Sequence, residues 1–192
     1  MRLLAVFTAL MVALTGVANA DIKEKGGYVG ASIGYAGYDK GGFEGYYKDK
    51  DSGSFGIYGG YKFNRYFALE GRLLNLGKYK VQEPGEGPTS DISYSIISGH
   101  LVGLLPLGES NWELMAQAGL GSGRYKVTGE ESANGRDTAY SLGVGVRWTP
   151  TPAFTMQLSA DGYTFRVRED SLPEETFKTN IGVIQFAGQW NF

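Results

Sequence analysis

A serine two residues before the single histidine of the chain is the most reactive-looking pair in the sequence. The pair is Ser98 and His100. A serine becomes a nucleophile when a base such as histidine lies within hydrogen-bonding distance of its hydroxyl group. Side chains at i and i+2 on one face of a strand are about 6–7 Å apart along the strand, which is too far for that bond. No acidic residue is close in sequence, so we expect no catalytic residue and keep an enzyme built on this pair as an alternative.

Charged residues at alternating positions form a second candidate group. They are Glu70, Arg72, Glu113, Arg147 and Asp161, each on the polar side of a segment whose other side is apolar. Because an unpaired ion is costly away from water, acids and bases that share an interior are expected to pair. We interpret these residues as a network of ion pairs that neutralises and stiffens a closed interior. A narrow pore gated by exchange of the pairs is the alternative interpretation.

The elements that position these residues are strands. Alternating apolar and polar residues indicate β-strands, in which successive side chains point to opposite faces. Eight such segments occur, at residues 27–38, 54–63, 66–76, 92–105, 112–125, 138–149, 154–165 and 179–192. We predict an all-β fold, an eight-stranded antiparallel up-and-down barrel. Its interior is just wide enough to be filled by side chains.

The fourth segment is ambiguous. One of its faces carries four apolar residues together with Ser98 and His100. Either the two polar residues face outward with the apolar ones, or a β-bulge near Ile96 and Ile97 shifts the register. The sequence leaves the direction of His100 open.

The connections between the segments alternate in length. Short connections lie at 64–65, 107–111 and 150–152, and long polar ones at 39–53, 77–91, 126–137 and 167–178. Outer-membrane barrels have short periplasmic turns and long extracellular loops. We therefore predict a transmembrane barrel with both termini in the periplasm. Its four loops would be extracellular, where recognition sites commonly lie.

The last segment also indicates a barrel that faces lipid. Its apolar face carries Ile184, Phe186, Trp190 and Phe192. An apolar exterior around a polar interior is typical of an outer-membrane barrel, whereas a soluble ligand-binding barrel buries its large apolar side chains inside. Aromatic residues near the segment ends are expected to form two interfacial girdles. Trp112 and Trp148 lie near the short connections, and Tyr38 and Tyr125 near the long ones.

The first 20 residues have the features of a secretory signal peptide. Arg2 precedes an apolar run, and Ala18-Asn19-Ala20 forms a cleavage site. The alternative, a transmembrane anchor, requires a span of about 20 apolar residues, and the run is shorter. We expect residues 1–20 to be removed and residues 21–192 to form one barrel domain in the outer membrane of a Gram-negative bacterium.

The composition argues against several other classes. The 30 glycines disfavour helices, and the absence of cysteine excludes a disulfide framework. A net charge of −2 argues against a nucleic-acid partner. No motif for a metal or a cofactor stands out, so we expect neither.

Three stretches resemble the transmembrane domain of OmpA and its outer-membrane relatives. They are YVGASIGY at 28–35, GGYKFNRYFALE at 59–70 and GVRWTPTPAFTMQL at 145–158. The resemblance implies a closed eight-stranded barrel whose inward charges plug the lumen. Glu70 matches an acidic member of that network, whereas Arg147 stands where the family often has an acid and Gln157 where it often has a base. We expect permuted charges and, because the sequence stops at Phe192, no peptidoglycan-binding domain.

These patterns together predict a non-enzymatic envelope protein with structural and surface-interaction roles. The expected partners are outer-membrane lipid and lipopolysaccharide, the barrel-assembly machinery through the C-terminal strand, and a possible surface ligand at the loops. We expect a monomer. The alternatives are a narrow ion-conducting pore and a lipid-modifying outer-membrane enzyme.

Overall fold

Eight antiparallel strands form a closed barrel in which each strand pairs with its neighbours in sequence order. The computed structural model describes residues 24–38, 51–81, 90–128, 133–168 and 176–192. The strands are β1 (Gly26–Tyr38), β2 (Asp51–Lys62), β3 (Phe67–Val81), β4 (Ser90–Pro106), β5 (Trp112–Thr128), β6 (Ala133–Thr151), β7 (Phe154–Arg168) and β8 (Thr176–Asn191). Pairing of β8 with β1 closes the barrel, which confirms the predicted fold. The predicted signal peptide lies outside the described residues.

Three tight turns define one end of the barrel, called here the short-turn end. The turns join β2 to β3, β4 to β5 and β6 to β7. In the first, Asn64 Oδ1 accepts hydrogen bonds from the backbone N–H groups of Tyr66 (2.8 Å) and Phe67 (3.0 Å). The backbone N–H of Phe192 donates to the carbonyl of Gly27 at 2.9 Å, so the two described ends of the chain meet here.

The opposite end is called the loop end. Here the strands run further than the sequence pattern predicted, and β6 begins at Ala133 rather than at residue 138. The connections at this end are 39–50, 82–89, 129–132 and 169–175. The predicted extracellular loops therefore lie largely outside the described residues.

Burial alternates along the strands with a period of two. In β8, Gln185 and Gln189 are buried, whereas Ile184 and Phe186, on either side of Gln185, are exposed. The outer surface is apolar, as Leu142 shows with 72 % exposure. Within the described parts of the chain, no helix has the length and apolar character to span a membrane. An exposed apolar band around polar buried positions matches a barrel surrounded by lipid.

Strand β4 corrects the sequence interpretation. Its ambiguous face, with Ser98 and His100, points into the lumen, and Ile97 and Leu101 point outward. The pairing of β4 with β5 runs without interruption, so the bulge considered near Ile96 and Ile97 is absent from this ladder. The sequence misled because β4 carries large apolar residues on both faces.

A register shift occurs in β3 instead, between Asn75 and Lys78. Gly77 has a φ of 75° at this point, a left-handed conformation that favours glycine. The side chain of Asn75 accepts a hydrogen bond from the backbone N–H of Gly77 at 2.8 Å. The shift lies toward the loop end of the strand, beyond the charged residues of β3.

Two apolar clusters fill parts of the lumen. The loop-end cluster consists of Ala36, Leu74, Leu76, Tyr94, Ile96, Ala139, Tyr163, Phe165, Ile181 and Val183. The short-turn cluster consists of Tyr28, Tyr58, Ala68, Val102, Leu104, Met115 and Ala187. The lumen is therefore less polar than its glycine, serine and glutamine content suggested, because large apolar side chains also point inward.

Candidate functional site

Arg72 is the centre of an ion-pair network between the two apolar clusters. Its Nη2 donates to Glu70 Oε1 at 2.7 Å and to Gln117 Oε1 at 3.1 Å. Its Nη1 lies 3.6 Å from Asp161 Oδ2 and 3.4 Å from the hydroxyl group of Tyr163. One guanidinium thus contacts two carboxylates, and β3 and β7 are linked across the barrel from opposite walls.

Asp161 is held by three further donors. Ser159 Oγ and Gln185 Nε2 each donate to Oδ2 at 3.0 Å, and Gln117 Nε2 donates to Oδ1. Glu70 accepts a further hydrogen bond from Arg72 Nε at 3.2 Å and one from the hydroxyl group of Tyr28 at 3.1 Å. Burial of an ionised carboxylate costs little free energy only when the group is paired and hydrogen-bonded. Both acids meet that condition. The network contains two acids and one base, so its net charge is −1.

The remaining interior charges lie at the short-turn end. Lys62 Nζ contacts Glu113 Oε1 at 2.8 Å. Arg147 is directly opposite Glu113 in the β5–β6 ladder, yet its hydrogen bond goes to Gln189 Oε1 at 2.5 Å. Its guanidinium carbon lies 5.5 Å from the ring centroid of Tyr28. This group, called here the mouth cluster, carries a net charge of +1.

The structure places all five sequence-predicted lumen residues inside the barrel, but in two groups. Glu70, Arg72 and Asp161 come together, whereas Glu113 and Arg147 belong to the mouth cluster. Among the described residues, no ion pair joins Arg147 to the group of Glu70, Arg72 and Asp161. Sequence reasoning missed Lys62, although its position between the outward-facing Tyr61 and Phe63 was a sufficient signal. Nothing in the sequence indicated that Tyr28 and Gln117 would each contact two charged residues, or that Gln189 would accept a hydrogen bond from Arg147.

Ser98 and His100 form a direct contact. Ser98 Oγ lies 2.8 Å from His100 Nε2, so the expectation that they are too far apart is wrong. The strand spacing separates their backbones, but the long imidazole side chain reaches back along the strand. Ser141 Oγ lies 3.5 Å from Nδ1, and among the described residues no carboxylate contacts the ring. His100 is 1 % exposed, so the pair is enclosed by the barrel rather than open to a substrate.

Aromatic side chains surround the outside of the short-turn end. The rings of Trp112 and Trp148, paired across β5 and β6, stack with centroids 5.9 Å apart. Trp190 in β8 and Phe192 just after it are also exposed at this end. Rings with an apolar body and a polar edge favour the membrane interface. The predicted loop-end girdle rests partly on Tyr38 and Tyr125, whose side chains lie outside the described set.

Among the described residues, no group of three or more histidine, cysteine or acidic side chains could hold a metal ion. The features of the site are therefore an ionic centre, two apolar layers, a basic mouth cluster and an apolar exterior. Taken with the closed topology, they define a membrane-spanning β-barrel with a packed interior.

The sequence comparison names the family. The chain belongs to the outer membrane protein beta-barrel domain family, whose model matches residues 5–192. It is a transmembrane barrel of the bacterial outer membrane. No curated protein matches the chain at a significant level.

Solved structures support the same fold at low sequence identity. Neisserial surface protein A (NspA) is similar with a TM-score of 0.63 and 15% identity, covering 86% of this chain and 97% of that chain. The N-terminal β-barrel domain of Pseudomonas aeruginosa OprF has a TM-score of 0.59 and 12% identity, covering 88% and 100%. Ail, the attachment invasion locus protein of Yersinia pestis, was solved with the heparin analogue sucrose octasulfate. Its TM-score is 0.55 at 21% identity, covering 87% and 99%.

Proposed function

We propose that the protein is a non-enzymatic anchor in the outer membrane that presents the connections of its loop end at the cell surface. The observation that carries this proposal is the filled lumen. Two apolar clusters lie on either side of the ionic centre. Because side chains fill the interior in this way, the barrel is rigid. A rigid scaffold with long connections at one end is suited to surface recognition.

A narrow ion pore is the second candidate, and the ionic centre is the observation that favours it. Arg72 contacts two carboxylates, Glu70 and Asp161, and a pore would open by exchange between these two partners. Conduction would also require side chains of the loop-end cluster, such as Leu74 and Phe165, to move away from the barrel axis. We regard the packed state as the functional one.

An outer-membrane enzyme has less support. The contact between Ser98 and His100 is the arrangement that a nucleophile and its base require. Both side chains are buried in the lumen, away from the lipid that such an enzyme would modify. We therefore assign the pair a structural role.

Single-channel recording separates the anchor from the pore. The purified, refolded barrel is added to a planar bilayer, and its insertion is verified by protection from protease. We expect no discrete openings. Reproducible openings would favour the pore, and their loss in an Arg72 variant that still inserts would assign them to the ionic centre.

The surface role is tested with a variant whose connections 39–50, 82–89, 129–132 and 169–175 are replaced by short Gly-Ser turns. In a strain lacking the protein, we expect this variant to restore resistance to detergent but not binding to surface ligands. Because Ail was solved with a heparin analogue, heparin is a reasonable first probe, with uncharged dextran as the control. Equal binding by wild type and variant would contradict a role for the loops.

We infer three partners from the outer surface. The apolar band contacts membrane lipid and lipopolysaccharide, and the C-terminal strand engages the barrel-assembly machinery during insertion. The barrel acts as a monomer. Deletion of Phe192 should reduce the amount of assembled protein in cells more than it reduces refolding into lipid vesicles, because only the former depends on recognition by the machinery.

A further inference from the structure

Arg147 is the one interior ion of the described barrel that lacks an oppositely charged partner. The other five, Lys62, Glu70, Arg72, Glu113 and Asp161, all take part in ion pairs. Arg147 is 3 % exposed, and arginine stays protonated in proteins. Arg147 therefore holds a full positive charge inside the barrel with no ion pair to a carboxylate among the described residues.

The hydrogen bonds of Arg147 are also incomplete. Of its five N–H donors, one is used by Gln189, and Nε has no partner among the described residues. The ring of Tyr28 supplies a cation–π contact, which is weaker than an ion pair. Such a group gains most from a negatively charged acceptor.

Glu113 does not fill this role. It is the cross-strand neighbour of Arg147, but its carboxylate is bound by Lys62 at 2.8 Å. Two bases and one acid leave the mouth cluster with one excess positive charge. The ionic centre has the opposite excess, but the ring of Tyr28 lies between its carboxylate Glu70 and Arg147. Direct compensation across this ring is therefore weak.

A cavity of about 20 Å³ lies beside the unsatisfied guanidinium. It is bordered by Arg147, Lys62, Gln189, Asn191 and Thr149, and by Glu113 on the acidic side. Most of these side chains carry N–H or O–H groups that an anion could accept. The volume suits one water molecule or one small ion, and the nearby Glu113 disfavours more than one negative charge.

We propose that the mouth cluster is a binding site for a single small monovalent anion of the size of chloride, with Arg147 as its principal ligand. The anion completes the hydrogen bonds of the guanidinium and cancels the excess charge of the cluster. This site is independent of the loops and of the proposed surface role. It contributes to the stability of the barrel and makes that stability depend on halide concentration.

Crystals of the wild-type barrel grown with sodium bromide provide the direct test. We expect an anomalous peak in the cavity, within about 3.5 Å of Arg147, which is hydrogen-bonding or contact distance for an anion. A cavity that contains only water, with no anomalous signal in bromide, would overturn the proposal.

Unfolding in urea gives a second readout in solution. Chloride is raised at constant ionic strength against gluconate, which is too large for the cavity. Above the dissociation constant, each tenfold rise in chloride should increase the folding equilibrium constant of the wild type up to about tenfold. Arg147→Gln should lose this dependence, and Arg65→Gln, at an exposed turn, should retain it. Equal dependence in all three proteins would contradict the site, and if Arg147→Gln fails to fold, the bromide crystal decides alone.

Discussion

Tyr28 donates a hydrogen bond from its hydroxyl group to Glu70 at 3.1 Å. The same ring lies against the guanidinium of Arg147, so one side chain contacts an acid of the ionic centre and a base of the mouth cluster. Tyr58 packs edge-on against Tyr28 with ring centroids 6.3 Å apart. These two tyrosines separate the two charged groups.

Removing the hydroxyl group of Tyr28 should destabilise the barrel, whereas the same change at Tyr58 should not. A hydrogen bond to a charged group contributes about 1.5–3 kcal/mol, so we expect Tyr28→Phe to lower the free energy of unfolding by that amount. The hydroxyl group of Tyr58 is buried with no hydrogen-bond partner among the described residues, so Tyr58→Phe is the matched control. Urea unfolding in lipid vesicles measures both, and equal losses would argue against the bond to Glu70.

Loss of the Arg72 guanidinium should be the most damaging single change in the ionic centre. Arg72→Met leaves Glu70 and Asp161 as buried carboxylates without a base, and breaking a buried pair costs about 3–5 kcal/mol. Arg65→Met, at an exposed turn, controls for the loss of an arginine. The Arg72 defect should be partly relieved in the triple variant that also carries Glu70→Gln and Asp161→Asn. Absence of any relief would show that packing, rather than charge, explains the loss.

A methyl group added at Gly119 should disturb the lumen. A Cβ atom there would lie 2.6 Å from His100 Nδ1 and 2.6 Å from Ser141 Oγ, and overpacking of this kind costs about 1–3 kcal/mol. At Gly99, on the outer face of the adjacent strand, a Cβ atom would meet nothing within 4 Å. We therefore expect Gly119→Ala to lower the urea midpoint and Gly99→Ala to leave it nearly unchanged. A larger loss in Gly99→Ala than in Gly119→Ala would contradict the position of His100 beside Gly119.

The stacked pair Trp112 and Trp148 should lie at the membrane interface. In vesicles that contain brominated lipids, we expect their fluorescence to be quenched more by bromines near the headgroups than by bromines near the bilayer centre. Trp190 is replaced by Phe so that only this pair is observed. Stronger quenching by the bromines near the bilayer centre would contradict an interfacial girdle at the short-turn end. A double-mutant cycle should give a coupling of about 0.5–1.5 kcal/mol, the value typical of aromatic pairs.

The sequence determined how many strands form, where most of them lie and which residues face inward. The reason is that a β-strand has a side-chain period of two, so a one-residue error would reverse every face. The inward positions of Glu70 and Asp161 follow from this alone. Alternation did not assign the inward and outward faces of β4, because large apolar residues occupy both of them.

The tertiary structure alone decided which interior charges meet. Arg72 and Asp161 come from opposite walls of the barrel, and their contact depends on the curvature and stagger of all the strands between them. Alternation reports the direction of a side chain but not its height in the lumen or its partner across it. For the same reason, the pairing of Glu113 with Lys62, and with it the unpaired charge of Arg147, became visible only in the closed barrel.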